Sequence, residues 1–136
     1  MTRPDLRAAS WRILVLTVAL AAACSSVSAP PERVLVTLFD LEVPATVAPT
    51  DTARIGFTFD ASCGPTPWAE ISMRPDLVEV AVWREVPEFP YPCPAVVVPA
   101  RREVSLLPGQ RAATVTVRFR QPGGVDSVRT ITETTP

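Results

Sequence analysis

The sequence predicts an all-β fold, a single antiparallel β-sandwich of seven to eight short strands over residues 33–134. Three observations carry this. Short segments alternate apolar and polar side chains with a period of two, as strands with one buried face must. Sixteen prolines and five glycines divide the chain into such segments at intervals of roughly 8 to 15 residues. No stretch of this region has the apolar spacing of an amphipathic helix.

Residues 34–39 (Val-Leu-Val-Thr-Leu-Phe) are β-branched and aromatic and open the domain as one strand. Pro44 and Pro49 confine residues 43–51 to an edge segment or loop, because proline cannot donate to a ladder. Next, Ala53, Ile55, Phe57 and Phe59 alternate with Arg54, Gly56, Thr58 and Asp60, the pattern of a half-buried strand. Residues 63–67 read as a loop, residues 71–73 as a brief strand, and residues 77–86 as a longer one. In the last, Val78, Val80 and Val82 share one face, and Glu79, Ala81 and Trp83 the other. Pro87, Pro90, Pro92, Pro94 and Pro99 make an extended, polyproline-like crossing, with room for a short strand at 95–98. Residues 102–107 form a strand that ends in Leu107-Pro108-Gly109-Gln110. There proline sets the first central φ of a type II turn and glycine takes the positive second one. Residues 114–120 place Val115, Val117 and Phe119 inside and Thr114, Thr116, Arg118 and Arg120 outside. Pro122-Gly123-Gly124 turns the chain, 128–132 is the last strand, and 134–136 frays.

Ahead of this domain lies a different composition. Residues 1–12 are basic, with Arg3, Arg7 and Arg12 against Asp5; an apolar run from Ile13 to Leu20 follows, then Ala21-Ala22-Ala23-Cys24. This charged, apolar, small-residue order is that of a secretory signal. As a helix the segment from Ile13 to Ala23 spans about 17 Å, short of the roughly 30 Å hydrocarbon core of a bilayer. A lasting membrane span is therefore not expected.

Residues 20–24, Leu-Ala-Ala-Ala-Cys, resemble the lipobox of bacterial lipoproteins, with alanine where leucine is favoured three residues before the cysteine. The resemblance covers only the signal region. It implies that 1–23 is a cleaved signal peptide, that Cys24 is the lipidation site, and that 24–32 tethers the domain to a membrane. Acylation of both the sulfur and the new amino end would supply the two-signal anchoring that one chain does not. Ser25 resembles lipoproteins sent onward to an outer membrane where the source has two. The implied location is the cell envelope, outside the cytoplasm. The order of an opening strand, a proline-rich edge, an aromatic strand and a closing hairpin resembles the immunoglobulin-like domains of bacterial surface proteins. A jelly roll or small barrel is the alternative.

With Cys24 assigned to lipid, Cys63 and Cys93 remain as an even pair in an oxidising compartment, each beside turn formers. A disulfide between them closes a loop of about 31 residues and contributes roughly 3 to 4 kcal/mol in the chain-entropy picture. Free thiols are the alternative. No CxxC spacing occurs and no histidine exists to complete a zinc shell.

Chemistry is sparse. All thirteen basic residues are arginine, and histidine and lysine are absent. The commonest general base and the usual activators of a serine or cysteine nucleophile are thus missing. Asp40/Glu42 and Asp76/Glu79 are nominal carboxylate pairs, and Asp51, Asp60 and Asp126 nominal calcium ligands, without a supporting motif. Neither enzymatic activity nor a cofactor or metal is expected. A net charge of −1 leaves no footprint for nucleic acid. Arg118 and Arg120 share an outer strand face, with Arg129 opposite on the neighbouring strand and Glu133 balancing them; an ordinary charged face is the preferred reading. Trp83, Phe89 and Tyr91 are the candidate partner-binding residues, because rigid proline-aromatic surfaces mark recognition sites. The competing reading packs Trp83 in the core and exposes the valine face, or covers both faces; packing is preferred. The expected function is a non-catalytic, lipid-anchored module that binds or scaffolds another envelope component. An exported hydrolase accessory domain or a protease-inhibitor-like protein is the alternative.

Overall fold

The computed structural model describes residues 29–62, 64–88, 92–93 and 96–134. One compact unit spans Pro31–Pro136. The signal segment, Cys24, Cys63, Phe89 and Tyr91 lie outside the described residues. In chain order the strands are β1 (Arg33–Leu35), β2 (Leu38–Glu42), β3 (Thr46–Val47), β4 (Ala53–Asp60), β5 (Trp68–Arg74), β6 (Leu77–Glu85), β7 (Pro99–Leu106), β8 (Thr114–Phe119) and β9 (Ser127–Glu133). A 3₁₀ turn at Pro122–Gly124 joins the last two.

The chain is all-β, with one sheet of six strands and one of three. In the larger sheet β5 flanks β6; β1 and β8 share the opposite edge of β6, end to end; β9 and β3 follow β8. The smaller sheet runs β2-β4-β7. Most pairings are antiparallel, as expected. Two are not: β6 runs parallel to β8 and β3 parallel to β9. The wholly antiparallel expectation is corrected there. β7 belongs to the smaller sheet, so β6 and β8 become partners without being sequence neighbours, as do β3 and β9.

The two sheets share one core. Ile55, Phe57 and Phe59 of β4 meet Val78, Val80 and Val82 of β6 and Val115, Val117 and Phe119 of β8. The period-two patterns of β4, β6 and β8 are thus inward faces, each fully buried side chain contributing on the order of 1.5 to 3 kcal/mol of transfer energy. β4 is buried on its other side too at Gly56 and Thr58. Arg101, from neighbouring β7, crosses above Gly56 to reach Glu42 on β2 with bonds of 2.8 and 2.5 Å. A Cβ at Gly56 would stand 3.0 Å from the Arg101 Nη2. The absence of a side chain at the centre of β4 is what lets the guanidinium pass.

Several expected boundaries shift. Residues 34–39 form two strands in different sheets: the Val36 N–H is the last to bond the larger sheet, at Val82 O (2.8 Å), and Leu38 then pairs with Phe59 in the smaller. The strand expected at 95–98 does not form over 96–98; the ladder starts at Pro99 instead. The brief strand at 71–73 extends over Trp68–Arg74. The turn at 107–110 closes as expected, with Gly109 at φ 76° and Gln110 N–H donating to Leu107 O at 3.3 Å.

The sheet switch at Leu38 is held by a side chain. Gln121 Oε1 accepts from Leu38 N–H at 2.9 Å and Gln121 Nε2 donates to Leu38 O at 3.0 Å, so the amide replaces a strand neighbour. Gln121→Ala leaves both backbone groups of a residue only 4% exposed without partners. The expected loss is about 1–3 kcal/mol, read as a lowered urea midpoint at unchanged slope. A change within experimental error would show that the amide is dispensable.

Candidate functional site

The side of the larger sheet turned away from the core carries Trp83. Because Val78, Val80 and Val82 are completely buried, the alternation of β6 sends Glu79, Ala81 and Trp83 to the outer face. The reading that packs Trp83 in the core and exposes the valine face is thereby corrected: the valine face is the core. Trp83 is half-buried all the same. Arg33, on β1, places its guanidinium carbon 4.4 Å from the ring centroid. Such a cation–π contact contributes about 0.5–1 kcal/mol at exposed sites. Trp68 on β5 stands directly opposite Trp83 in register and is 39% exposed.

Around Trp83 lies an open depression of about 270 Å³, lined by Arg33, Glu70, Ser72, Glu79, Ala81 and Arg120 as well as Trp83 itself. Strands β5 and β6, with Arg120 just after β8, supply the lining that Arg33 does not. Its charges are internally matched: Arg33–Glu70 at 3.7 Å, Arg118–Glu79 at 3.3 Å, Arg74–Glu79 at 3.9 Å and Arg120–Asp126 at 3.5 Å. Exposed pairs of this kind contribute about 0–1 kcal/mol each, so they are easily exchanged for a ligand's charges. The Trp83 Nε1 is buried and has no hydrogen-bond partner among the described residues. The site thus combines an aromatic ring and loosely held ions of both signs. That suits recognition of a polar partner with an apolar portion.

Arg118 and Arg120 lie on this outer face as expected, but Arg129 does not join them. It is opposite Val117, on the core-facing side of β9, and it donates to Val128 O at 3.0 Å. Glu133 does not balance them either; its partner is Arg111, at 3.1 Å. Of the nominal carboxylate pairs, Glu42 and Glu79 are held in ion pairs. Glu42 holds Arg101, whose hydrogen bond and charge keep the Glu42 carboxyl below the ordinary carboxylate range. Asp40 sits in left-handed backbone, φ 48°, within a bulge of β2. Asp76 occupies the β5–β6 turn, where its carbonyl accepts from Thr116 N–H at 2.8 Å. Among the described residues no three His, Cys, Asp or Glu side chains gather closely enough for a metal ion, and no helix is long and apolar enough to cross a membrane.

Asp60 closes the end of β4 where the proline-rich segment returns. Its carboxylate accepts from Ser62 N–H at 2.9 Å and Val98 N–H at 3.2 Å, while its carbonyl accepts from Arg84 Nη2 at 2.6 Å. The Ser62 bonds, first that of its hydroxyl, hold the Asp60 carboxyl below its usual value against the opposing effect of burial. Ala61 N–H adds a bond to Val98 O at 2.9 Å. Cys93 is not a free thiol. Gln121 and Arg111 were invisible as sites to sequence reasoning, and Asp60 was singled out only as a nominal calcium ligand, since their partners are backbone groups or residues remote in the chain.

No family model matches this chain, and neither a curated protein nor a solved structure does.

Proposed function

We propose that this chain is the precursor of a lipid-anchored cell-envelope protein whose immunoglobulin-like β-sandwich binds another envelope component without catalysis. The reading takes residues 1–23 as a cleaved signal and Cys24 as the acylated residue, on the resemblance of residues 20–24 to a lipobox. The binding surface is the outer face around Trp83. One observation carries this choice: Trp83 lies on the outer face, in a depression walled by exchangeable ion pairs. Aromatic anchors ringed by polar groups are where binding energy concentrates. The proline-rich segment with Phe89 and Tyr91, the other candidate partner-binding residues, follows β6 in the sequence.

The reading includes a Cys63–Cys93 bridge. Asp60 and Pro99 are register partners, so the cysteines leave one junction three and six residues away. Those stretches reach at most about 10 and 20 Å, ample to meet the roughly 4.4–6.8 Å Cα separation a disulfide requires.

Two measurements test the proposal. The intact mass of the protein purified from membranes is expected to show a chain starting at Cys24, added diacylglycerol and acyl groups, and the loss of two hydrogens. An uncut or unlipidated chain overturns the anchoring. Capture from envelope extracts is expected to yield a component retained by the native protein and lost with Trp83→Ala at unchanged circular dichroism. Equal capture by both overturns the Trp83 surface.

A further inference from the structure

We infer that β5 is a self-association edge, through which two copies of this chain pair antiparallel with Ser72 opposite Ser72 of the second copy.

The first observation is that β5 is unguarded where the other edges are not. Among the described residues its only strand partner is β6, so one row of backbone N–H and C=O groups over Trp68–Arg74 faces outward. Its register with β6 is unbroken over all seven residues and contains neither proline nor glycine. Other edges carry the usual defences against pairing. β3 has two residues. β2 is interrupted by its bulge, with Asp40 in left-handed backbone. β7 opens on Pro99 and sets Arg102 opposite Phe57, a charge on the core-facing side.

The second observation is apolar. On the core-facing side of β5, Ile71 and Met73 are 39% and 61% exposed, while Val80 and Val78 opposite them on β6 are fully buried. A three-strand sheet does not reach across a six-strand one, so this strip is left uncovered.

The third observation chooses the occupant. Opposed residues in an antiparallel pair lie on the same face. Two β5 strands centred on Ser72 therefore set Glu70 against Arg74 of the second copy, twice, and Ile71 against Met73 of the second copy, twice. Glu70 and Arg74 each meet the opposite charge and Ile71 meets Met73, while Trp68 falls beyond the paired span. A register centred on Ile71 would set Glu70 against Ser72 and forgo both ion pairs. The present intrachain partners, Arg33 for Glu70 at 3.7 Å and Glu79 for Arg74 at 3.9 Å, are loose and exposed, so both side chains are available. The strand is complementary to itself, which points to a second copy rather than to an unrelated peptide.

The test uses the full chain, expressed and oxidised in its own membrane fraction. Opposed Cα atoms in such a pair stand about 4.5–5.5 Å apart, within disulfide range. Ser72→Cys is therefore expected to give a covalent dimer on a non-reducing gel, and Ser105→Cys, an exposed position on β7, to give none. In the Ser72→Cys background, Glu70→Arg or Arg74→Glu alone sets like charges opposite and should abolish the dimer. The two together restore it. Equal cross-linking of the Ser72→Cys and Ser105→Cys variants, a monomer throughout, a loss that the double reversal does not rescue, or cross-linking of the Ser72→Cys variant to a different protein each overturns the inference.

Discussion

Arg111→Ala is expected to destabilise the fold by about 3–5 kcal/mol, a large part of the roughly 5–15 kcal/mol that holds a domain of this size together. The Arg111 side chain is 2% exposed and Glu133, its counterion, 22%. Three parts of the chain meet at this guanidinium. Its Nε is 3.1 Å from the Glu133 carboxylate on β9, Nη1 donates to Leu106 O at the end of β7 at 3.1 Å, and Nη2 donates to Ala48 O after β3 at 2.9 Å. One side chain thus bonds the end of the smaller sheet to the larger sheet and to the loop that enters β4. Truncation removes more than a contact: it leaves a mostly buried carboxylate without a counterion and two carbonyls without donors, each a desolvation penalty. Arg111→Lys keeps the charge but, as a compact ammonium, does not reach both carbonyls and the Glu133 carboxylate at once as the guanidinium does; it should fall between the two. Denaturant midpoints of the three proteins, compared at equal slope, give the ranking. Alanine within about 1 kcal/mol of the native protein, the range of an exposed pair, would mean that this arginine is solvated and the two sheets are not riveted there.

That residue also marks where the sequence stops being readable. Strands with a local signature were legible: β4 and β8 alternate so cleanly that their inward residues are assigned from period alone, and Leu107-Pro108-Gly109-Gln110 specifies its own turn. The all-β class followed from the same signals. What was not legible depends on partners distant in the chain. Residues 34–39 look like one strand because every side chain in them suits a strand; only the competition between Val82 O and the Gln121 amide decides that the chain changes sheets at Thr37. The parallel pairing of β6 with β8 has no local signature, because both strands have the same valine-rich pattern whichever way they run.

The candidate site was half legible for a related reason. Trp83 was singled out from its aromatic neighbours, but alternation alone says only that it lies opposite Val78, Val80 and Val82, not which side is the core. Three β-branched side chains in a row on one face fill a sheet interior more evenly than glutamate, alanine and tryptophan do, and burial follows them. Arg33, 50 positions earlier in the sequence, then shields the ring. A surface tryptophan kept half out of water by an arginine leaves no trace in a one-dimensional pattern.

Phe57→Ala and Phe119→Ala are each expected to cost about 3–5 kcal/mol, the range for emptying a buried aromatic site. Both rings are completely buried. Phe57 comes from β4, the central strand of the smaller sheet, and Phe119 from the end of β8 in the larger, and their centroids are 6.3 Å apart at 60°. Phe59, one turn of the pleat along β4, stacks 6.5 Å from Phe57. A cavity at Phe57 cannot be closed by sliding β4, whose register is fixed on one side by β7 over Ala53–Asp60 and on the other by β2. The inter-sheet contact itself is separable from the cavity. Phe57→Leu and Phe119→Leu keep most of the volume, so a double-mutant cycle between them isolates the tilted ring pair, for which about 0.5–1.5 kcal/mol is expected. Strict additivity of the two leucine variants would mean that the rings do not touch and that the sheets do not meet face to face at this point. Coupling in that range, with the alanine variants far less stable, fixes the two-sheet packing on which the outer position of Trp83 depends.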